Sequence, residues 1–368
     1  MKGYFIPFGA REIISIDKKI DMQIQQLSTI ASMEEVDVDL TTKNLFRNAL
    51  SALPFIDLPW NYADAYQKIQ NPDFIFMRRT GPDRSLIKFL NYIKTRYPQC
   101  KVIMEVATYP YIRELLQRID GWALLPKDLF NRRKLKKYVD RIVTYSDDLK
   151  IFDIPTIRVM NGIDVKSIKP ICDNGNSETK IIRLLAVGVL QKSHGYERCI
   201  QGLAQYYFNK PGRTIEIHIV GDGTELNYYK NLVAKYHLER YVFFYGRKVG
   251  VELEQIYNNM DIALGSFGAY KRGITKSSSL KIREYLAKGL PIISGCREDV
   301  FDDMSDYPFY LQMPNDNSLV DMRDILCFYD SVYSGNITRQ AVHDEIREFA
   351  KIKVDMEITM KPIIEYLQ

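Results

Sequence analysis

Residues 277–295 contain side-chain types and spacings that could bind a phosphorylated ligand. The stretch predicts a polar loop, a helix, a Gly-Pro break and an apolar strand. Ser278 or Ser279 can cap the helix, and the first helical amides with the helix dipole form an anion site. Glu284 lies four residues after Leu280, so it shares that helix face one turn further in. A carboxylate beside an anion site suits a ligand with phosphate and hydroxyl groups, such as a nucleotide sugar. The alternative is an ordinary capped helix.

The composition is that of a globular chain with a local basic excess. The chain has 368 residues, which is enough for two domains with full cores. Of these residues, 46% are hydrophobic and 26% are charged, as in globular proteins. The net charge is +5, and residues 127–141 alone hold seven basic and two acidic side chains. No apolar run approaches the ~20 residues that span a bilayer. The apolar start, residues 3–10, is expected to be a strand rather than a signal peptide. Five scattered cysteines favour reduced thiols in a cytoplasmic protein without structural zinc.

Apolar runs that alternate with helical patterns predict two parallel sheets, each covered on both faces. In the second half, every predicted strand ends at a glycine, and the carboxyl ends of such strands form a ligand crevice. These strands are 181–188, 214–221, 241–246, 261–265 and 290–295, with helices at 196–208, 225–236, 252–259 and 280–288. The first half predicts strands at 3–8, 36–40, 73–78, 101–106, 141–145 and 156–160, with helices at 18–32, 84–96 and 127–138.

A turn and a polar stretch divide the chain into domains. Asn161-Gly162 is a turn signal, and residues 172–180 are typical of a linker. We therefore predict domains at 1–165 and 166–340, and a helical segment at 341–368 that packs back on the first domain. The predicted class is α/β, with two doubly wound, Rossmann-like domains that face each other across a cleft.

Short motifs occur in a fixed order between residues 140 and 295. They lie at 145–146, 161–164, 185–188, 194–195, 219–223, 244–246, 257–261 and 280–291. The series resembles the retaining glycosyltransferases of family 4, which have the GT-B fold. The order and spacing carry the resemblance, because no single motif is specific. Thr108-Tyr-Pro-Tyr111 is similar to bacterial polysaccharide-synthesis members of that family.

The resemblance implies that 166–340 binds a nucleotide-diphosphate sugar and that 1–165 binds an acceptor. Glu284 matches the second carboxylate of the family's Glu-x7-Glu motif, which holds the donor ribose. The amides around Ser278, Ser279 and Leu280 would hold the diphosphate. The other implied substrate-binding residues are Gly9, His194, Gly221, Arg247, Lys276 and Lys281.

The implied catalytic residues are Lys192 and Glu284, with Glu284 as a binder rather than a base. Lys192 is preferred to His194 for neutralising the diphosphate, because lysine is charged at pH 7 while an unperturbed histidine is mostly neutral. Stabilisation of the leaving group would then be the main catalytic effect. We expect no metal and no separate cofactor. Asp37-Val38-Asp39 is a DxD sequence without the context of a metal site.

One position departs from the family pattern, because Lys276 stands where the first glutamate of the motif is common. Three explanations remain open. The loop length differs and shifts the alignment, or Lys276 binds a phosphate or an acidic sugar, or the protein binds nucleotide without transferring sugar.

The sequence and the resemblance therefore predict a glycosyltransferase that acts on a growing, lipid-linked glycan in surface polysaccharide or capsule synthesis. One alternative is a nucleotide-sugar-binding protein with little or no transferase activity, and another is a different reaction on the GT-B fold, such as epimerisation or phosphorolysis. Residues 127–141 predict a basic amphipathic helix whose apolar stripe is Leu135, Tyr138, Val139 and Ile142. Such a helix is typical of reversible contact with an anionic membrane rather than of nucleic-acid binding. The expected contact is with the inner face of the cytoplasmic membrane.

Overall fold

A computed structural model describes most of the chain, which divides into two compact units. The described residues are 1–12, 14–38, 60–79, 81, 83–116, 121–172, 181–209, 212–304, 306–334 and 337–368, with backbone alone for 12, 14, 15, 113, 114 and 123. Unit 1 comprises Met1–Gly162 and Met356–Gln368, and unit 2 comprises Ile163–Asp355. The predicted linker residues 173–180 and Asp39 of the DxD sequence lie outside the described residues.

Unit 1 is built on a sheet of seven described strands in the order β2-β1-β3-β4-β5-β7-β6. All neighbours are parallel except β6 and β7. The strands are β1 Lys2–Ile6, β2 Ser32–Glu35, β3 Phe74–Arg78, β4 Lys101–Val106, β5 Arg141–Thr144, β6 Lys150–Ile151 and β7 Ile154–Arg158. The described helices of this unit are α1 Ile14–Leu27, α2 Ala63–Lys68, α3 Arg84–Arg96, α4 Ile112–Leu116, α5 Gly121–Arg132 and, at the C-terminus, α12 Met356–Leu367.

Successive residues of the same strands pack into two separate cores, because side chains alternate across a sheet. Phe76 of β3 packs with side chains of α1 and α12 in one core. Ile75 and Met77 pack with side chains of α3 in the other. Helices therefore cover both faces of the sheet, and the predicted α/β class is confirmed.

Unit 2 repeats the design with a sheet of six described strands in the order β10-β9-β8-β11-β13-β15, all parallel. These strands are β8 Ile181–Val187, β9 Thr214–Val220, β10 Val242–Phe244, β11 Ile262–Leu264, β13 Ile292–Ser294 and β15 Tyr310–Gln312. The short strands β12 Lys276–Ser277 and β14 Arg297–Glu298 pair separately. The helices are α6 Glu197–Phe208, α7 Leu226–Lys235, α8 Gly250–Tyr257, α9 Leu280–Lys288, α10 Met322–Tyr333 and α11 Arg339–Lys353.

The predicted basic amphipathic helix at 127–138 is wrong. Helix α5 begins earlier, at Gly121, and ends at Arg132. Leu135 follows in a short 3-10 turn, Ile142 belongs to β5, and both are fully buried. Their helical spacing was coincidental, because the apolar positions are used by the core of unit 1 rather than by a membrane-facing stripe.

The predicted strand at 36–40 is also displaced, since the strand observed there is β2, Ser32–Glu35. Helix α1 correspondingly ends at Leu27, before the predicted end at residue 32. None of the described helices has the length and apolar content that crossing a bilayer requires.

Candidate functional site

Glycines at the carboxyl ends of β8 and β9 let two loops pack against each other. Gly188 and Gly221 have φ of +143° and +137°. A Cβ at Gly221 would lie 1.9 Å from the carbonyl oxygen of Gly188, which no side chain tolerates. Beyond this contact, the Leu190 amide donates to the Asp222 carbonyl at 2.8 Å. The predicted role of Gly221 as a strand-end residue of a ligand crevice is consistent with this close backbone approach.

Helix α9 starts beside these loops, with amides that its capping residue leaves unbonded. Ser279 occupies the N-cap position, but its side chain accepts no hydrogen bond from the helix. Ser278 Oγ accepts a hydrogen bond from Arg283 Nη2 at 3.2 Å. The predicted cap is therefore not formed by Ser279, and Leu280 begins a helix whose first-turn amides suit an anion.

Tyr196 connects the loop after β8 with helix α9. Its ring stacks on the imidazole of His194, with centroids 5.5 Å apart. Its hydroxyl accepts a hydrogen bond from Lys281 Nζ at 3.1 Å. Two predicted phosphate-binding residues from different segments are thus brought together by a tyrosine that the sequence analysis did not single out.

Burial controls the charges of this group. Desolvation, with a smaller contribution from Lys281, lowers the pKa of His194 to about 2, so the imidazole is neutral near pH 7. Its Nδ1 accepts from the Gln191 amide at 3.3 Å, which places the ring proton on Nε2. His194 can therefore donate a hydrogen bond to a phosphate but cannot neutralise its charge.

Lys281 and Glu298 both titrate near neutral pH. Desolvation lowers the pKa of Lys281 to about 7, while the nearby Glu298 opposes the shift. Desolvation likewise raises the pKa of the fully buried Glu298 to about 8. Glu298 Oε1 accepts from Ser294 Oγ at 3.2 Å, whereas Oε2 has no partner among the described residues. An anion bound beside Lys281 would favour its charged form.

Glu284 is held by a second buried tyrosine. Tyr257, the last residue of α8, donates from its hydroxyl to Glu284 Oε1 at 3.1 Å. The next residue of α9 is Tyr285, whose hydroxyl accepts from the Val187 amide at 2.9 Å. These two bonds attach helix α9 to α8 and to the end of β8, so the carboxylate has a defined position one turn into the helix.

Two lysines of the basic loop before α9 pair with carboxylates of unit 2. Lys276 Nζ lies 2.7 Å from Asp302 Oδ2, and both side chains are 18% exposed. Lys271 pairs with Glu197 at the start of α6. Lys276 therefore carries a local counter-ion at the position where the resembling family often has a sugar-contacting glutamate.

The remaining predicted residues lie in loops that follow strands. Lys192 is exposed in the 3-10 turn that contains His194, and it forms no ion pair with the described residues. Arg247 is exposed in the loop after β10. Gly9 follows β1 in unit 1 with φ of +68°, and a Cβ there would lie 3.8 Å from the Trp60 ring.

Unit 1 has its own polar cluster at the carboxyl edge of its sheet. Glu105 is completely buried and accepts hydrogen bonds from Lys19 Nζ at 2.7 Å, Arg78 Nη1 at 2.8 Å and the Tyr145 hydroxyl at 2.5 Å. The two cations lower the pKa of Glu105 to about 2, although burial opposes them. One carboxylate compensates two cations, so the cluster carries a net positive charge.

The motif 108–111 forms an aromatic-cation cluster beside this edge. The Tyr109-Pro110 peptide bond is cis. The guanidinium of Arg79 lies 3.8 Å from the centre of the Tyr111 ring, and Asp128 of α5 pairs with Arg79 and accepts from the Tyr111 hydroxyl. Among the described residues, no group of three or more His, Cys, Asp and Glu side chains could hold a metal ion.

One family model matches part of the chain. Residues 171–300 match the family model described as glycosyl transferases group 1. This segment contains the loops and helix that form the site in unit 2. A comparison with curated proteins gives no match.

Solved structures resemble the whole chain at low sequence identity. The apo form of the lipopolysaccharide outer core galactosyltransferase WaaB has a TM-score of 0.60 at 15% identity, with 100% of both chains covered. Anabaena HepE in complex with UDP has a TM-score of 0.63 at 14% identity, with 100% of this chain and 99% of that chain covered. Sucrose-phosphate synthase from Thermosynechococcus elongatus has a TM-score of 0.68 at 12% identity, with the same coverage.

At these identities the likeness shows the fold alone, which is that of the GT-B glycosyltransferases. The matched segment supports nucleotide-sugar transfer as the reaction class.

Proposed function

We propose that the protein is a glycosyltransferase that moves a sugar from a nucleotide-diphosphate sugar to a growing glycan with retention of anomeric configuration. Unit 2 binds the donor and unit 1 the acceptor. The acceptor is a lipid-linked glycan of surface polysaccharide synthesis, presented at the inner face of the cytoplasmic membrane. Retention and the acceptor type rest on the family resemblance stated above, and we propose on the same ground that the transferred sugar is a hexose.

The observation that carries the proposal is the site at the start of α9. The uncapped amides of Leu280 and its neighbours, the Lys281 ammonium and the neutral His194 suit a diphosphate. Glu284 lies one turn further along the same helix, at a distance that suits a ribose hydroxyl of the same nucleotide. The exposed Lys192 on the adjoining loop supplies a full positive charge to the departing diphosphate.

The position of Lys276 suggests a second candidate function, namely a nucleotide-sugar-binding protein with little or no transferase activity. Its ammonium is engaged by Asp302 at the position where the resembling family often uses a glutamate to contact the donor sugar. Such a protein would bind the nucleotide through Glu284 and α9 but would hold the sugar differently. Release of nucleotide from the donor in the presence of a glycan acceptor separates the two candidates.

The test of the donor site is a calorimetric titration with UDP, GDP, dTDP and ADP. We expect one of them to bind selectively and Glu284→Ala to weaken it roughly tenfold to a hundredfold, because a charged hydrogen bond is lost. Glu239→Ala is the matched control, since Glu239 is exposed just before β10. It therefore lies at the amino end of that strand, whereas the candidate site lies at the carboxyl ends of the strands. If no nucleotide binds, or folded Glu284→Ala binds equally well, the donor site has been assigned wrongly.

A further inference from the structure

Helix α5 of unit 1 exposes large apolar side chains on one face. Trp122 and Phe130 are 71% and 63% exposed, and Pro126 between them is exposed as well. Residues four and eight positions apart lie on the same side of a helix. The three side chains therefore form a continuous apolar strip on the outside of unit 1, here called the α5 strip.

The opposite face of α5 is polar and buried. Lys127, Asp128 and Asn131 are each less than 5% exposed. Asp128 pairs with Arg79 and accepts from the Tyr111 hydroxyl, and Asn131 Nδ2 donates to the Lys127 carbonyl at 3.0 Å. The contacts of Asp128 fix this polar face against unit 1, whereas an ordinary surface helix turns its apolar face to the core. The exposure of the α5 strip is thus built into the fold.

Basic side chains follow directly at the C-terminal end of the strip. Arg133 and Lys137 are exposed, and Lys134 Nζ lies 4.1 Å from the centre of the Phe130 ring. Lys136 is 54% exposed and makes a single long ion pair of 3.4 Å with Asp153. The α5 strip is therefore bordered by basic side chains that have few carboxylate partners among the described residues. Such a surface is complementary to one that has anionic groups outside and apolar groups beneath them.

We propose that the α5 strip docks unit 1 onto an anionic lipid bilayer. Trp122, Pro126 and Phe130 enter the interfacial region, and the basic residues 133–137 contact lipid phosphates. Tryptophan favours this interface because its ring is apolar and its N–H is polar. Attraction of the cations to anionic lipid adds to apolar burial in such interfacial helices.

Only the purpose of docking, which is access to a lipid-linked acceptor, rests on the proposed function. The α5 strip replaces the stripe predicted from the sequence. The side chains involved are Trp122, Pro126 and Phe130, whereas Leu135, Val139 and Ile142 are core residues.

A fluorescence experiment on the full chain tests docking without donor or acceptor. The chain has two tryptophans, and Trp60→Phe leaves Trp122 as the only one. We expect the Trp122 emission to shift to shorter wavelength with vesicles of phosphatidylcholine and phosphatidylglycerol in equal amounts, and much less with phosphatidylcholine alone. Added salt should reverse the anionic-lipid effect, because exposed charges are screened. An unchanged spectrum with the mixed vesicles would overturn the proposal.

Vesicle sedimentation with variants then assigns the surface. In the wild-type background, Trp122→Ala with Phe130→Ala should weaken binding to the mixed vesicles on the order of tenfold for each aromatic side chain lost. Phe208→Ala is the matched control, since Phe208 is an 87% exposed phenylalanine in unit 2 and should leave binding unchanged. Thermal unfolding checks that all variants fold, which we expect because the substituted side chains are exposed.

Two results would contradict the docking surface. Equal vesicle binding by the double variant would place the contact elsewhere. Concentration-dependent self-association that the double variant abolishes, with no vesicle binding, would assign the strip to a second copy of the chain. Because no nucleotide is present, either result leaves the donor-site titration as an independent test of the proposed function.

Discussion

The Tyr257 hydroxyl donates a hydrogen bond to Glu284 Oε1 across 3.1 Å and thereby joins the end of α8 to the second turn of α9. Tyr257 is completely buried, and desolvation, followed by the charge of Glu284, raises its pKa, so the hydroxyl remains a donor at every ordinary pH. The bond orients the carboxylate that we assign to the ribose.

Removing this donor should weaken nucleotide binding without removing the binding group. We expect Tyr257→Phe to reduce affinity roughly threefold to tenfold, because the loss of one orienting hydrogen bond costs about 0.5–1.5 kcal/mol. Calorimetry with the nucleotide that the wild type selects measures the change. Tyr333→Phe is the control, since it loses a similar bond to the Asp261 carbonyl, which lies just before β11 at the amino ends of the strands. Equal affinity losses in both variants would mean that the effect is general destabilisation.

Nucleotide affinity should fall as the pH rises above about 7. The pKa of Lys281 is lowered to about 7 in the free protein, chiefly by desolvation. A bound diphosphate raises that pKa, so binding takes up a proton at higher pH and weakens there. His194 stays neutral across this range. The other nearby group that titrates there is Glu298, whose pKa is about 8 and which becomes negatively charged as the pH rises.

Titrations between neutral and alkaline pH test this in matched variants. Lys281→Arg should bind with a flatter pH profile, because arginine keeps its charge. Lys281→Met should bind weakly at every pH. A wild-type profile that is flat above neutral pH would show that Lys281 does not contact the phosphates.

Lys192→Ala should reduce transfer much more than it reduces nucleotide binding. Lys192 is exposed and has no ion pair with the described residues, so its removal leaves no buried partner uncompensated. Loss of a group that stabilises developing charge costs on the order of a hundredfold in kcat. The exposed Lys235 at the end of α7 provides the control, Lys235→Ala, which should keep full activity. Unchanged kcat in Lys192→Ala would remove it from the mechanism.

Glu105 should be essential for the stability of unit 1. Glu105→Gln leaves Lys19 and Arg78, with side chains 6% and 11% exposed, without their carboxylate. Breaking a buried ion pair by removing one partner costs about 3–5 kcal/mol. Both tryptophans, Trp60 and Trp122, belong to unit 1, so tryptophan fluorescence in urea reports the unfolding of that unit.

The same carboxylate should make unit 1 sensitive to acid. Its pKa is about 2 when folded and 4.5 in the reference state, so the unfolded chain takes up the proton first as the pH falls. The stabilisation is complete above about pH 4.5 and is lost as the pH falls towards 2. Glu105→Gln should lack this part of the acid dependence. An identical acid profile in the variant would contradict the assignment.

The strands of unit 2 were predicted well because of how a doubly covered sheet is built. Strands β8 and β9 are buried on both faces, so they appear in the sequence as apolar runs rather than as alternating patterns. The glycines that end them are required by close backbone contacts, as at Gly221. Helix α9 was recognisable from its Gly-Pro ending and from its apolar spacing.

Other parts of the fold lacked a local signal. Strands β12 and β14 have two residues each, too few to show a period. The apolar spacing of residues 135–142 fitted a helix, although these residues enter the core from a turn and a strand. Only residues 127–132 of helix α5 were predicted as helical, because the buried side of α5 is polar and its apolar side is exposed.

The sequence by itself determined the α/β class, the strand-end glycines and the position of Glu284 one turn inside a helix. These features depend on neighbours within a few residues along the chain. Only the tertiary structure decided that Tyr257 holds Glu284, that Tyr196 joins His194 to Lys281, and that Asp302 engages Lys276. The pairs Tyr257–Glu284, Tyr196–Lys281 and Lys276–Asp302 are 26 to 85 residues apart in the chain, so no periodicity links them. The burial that shifts the pKa values of His194 and Lys281 is created when those segments pack together.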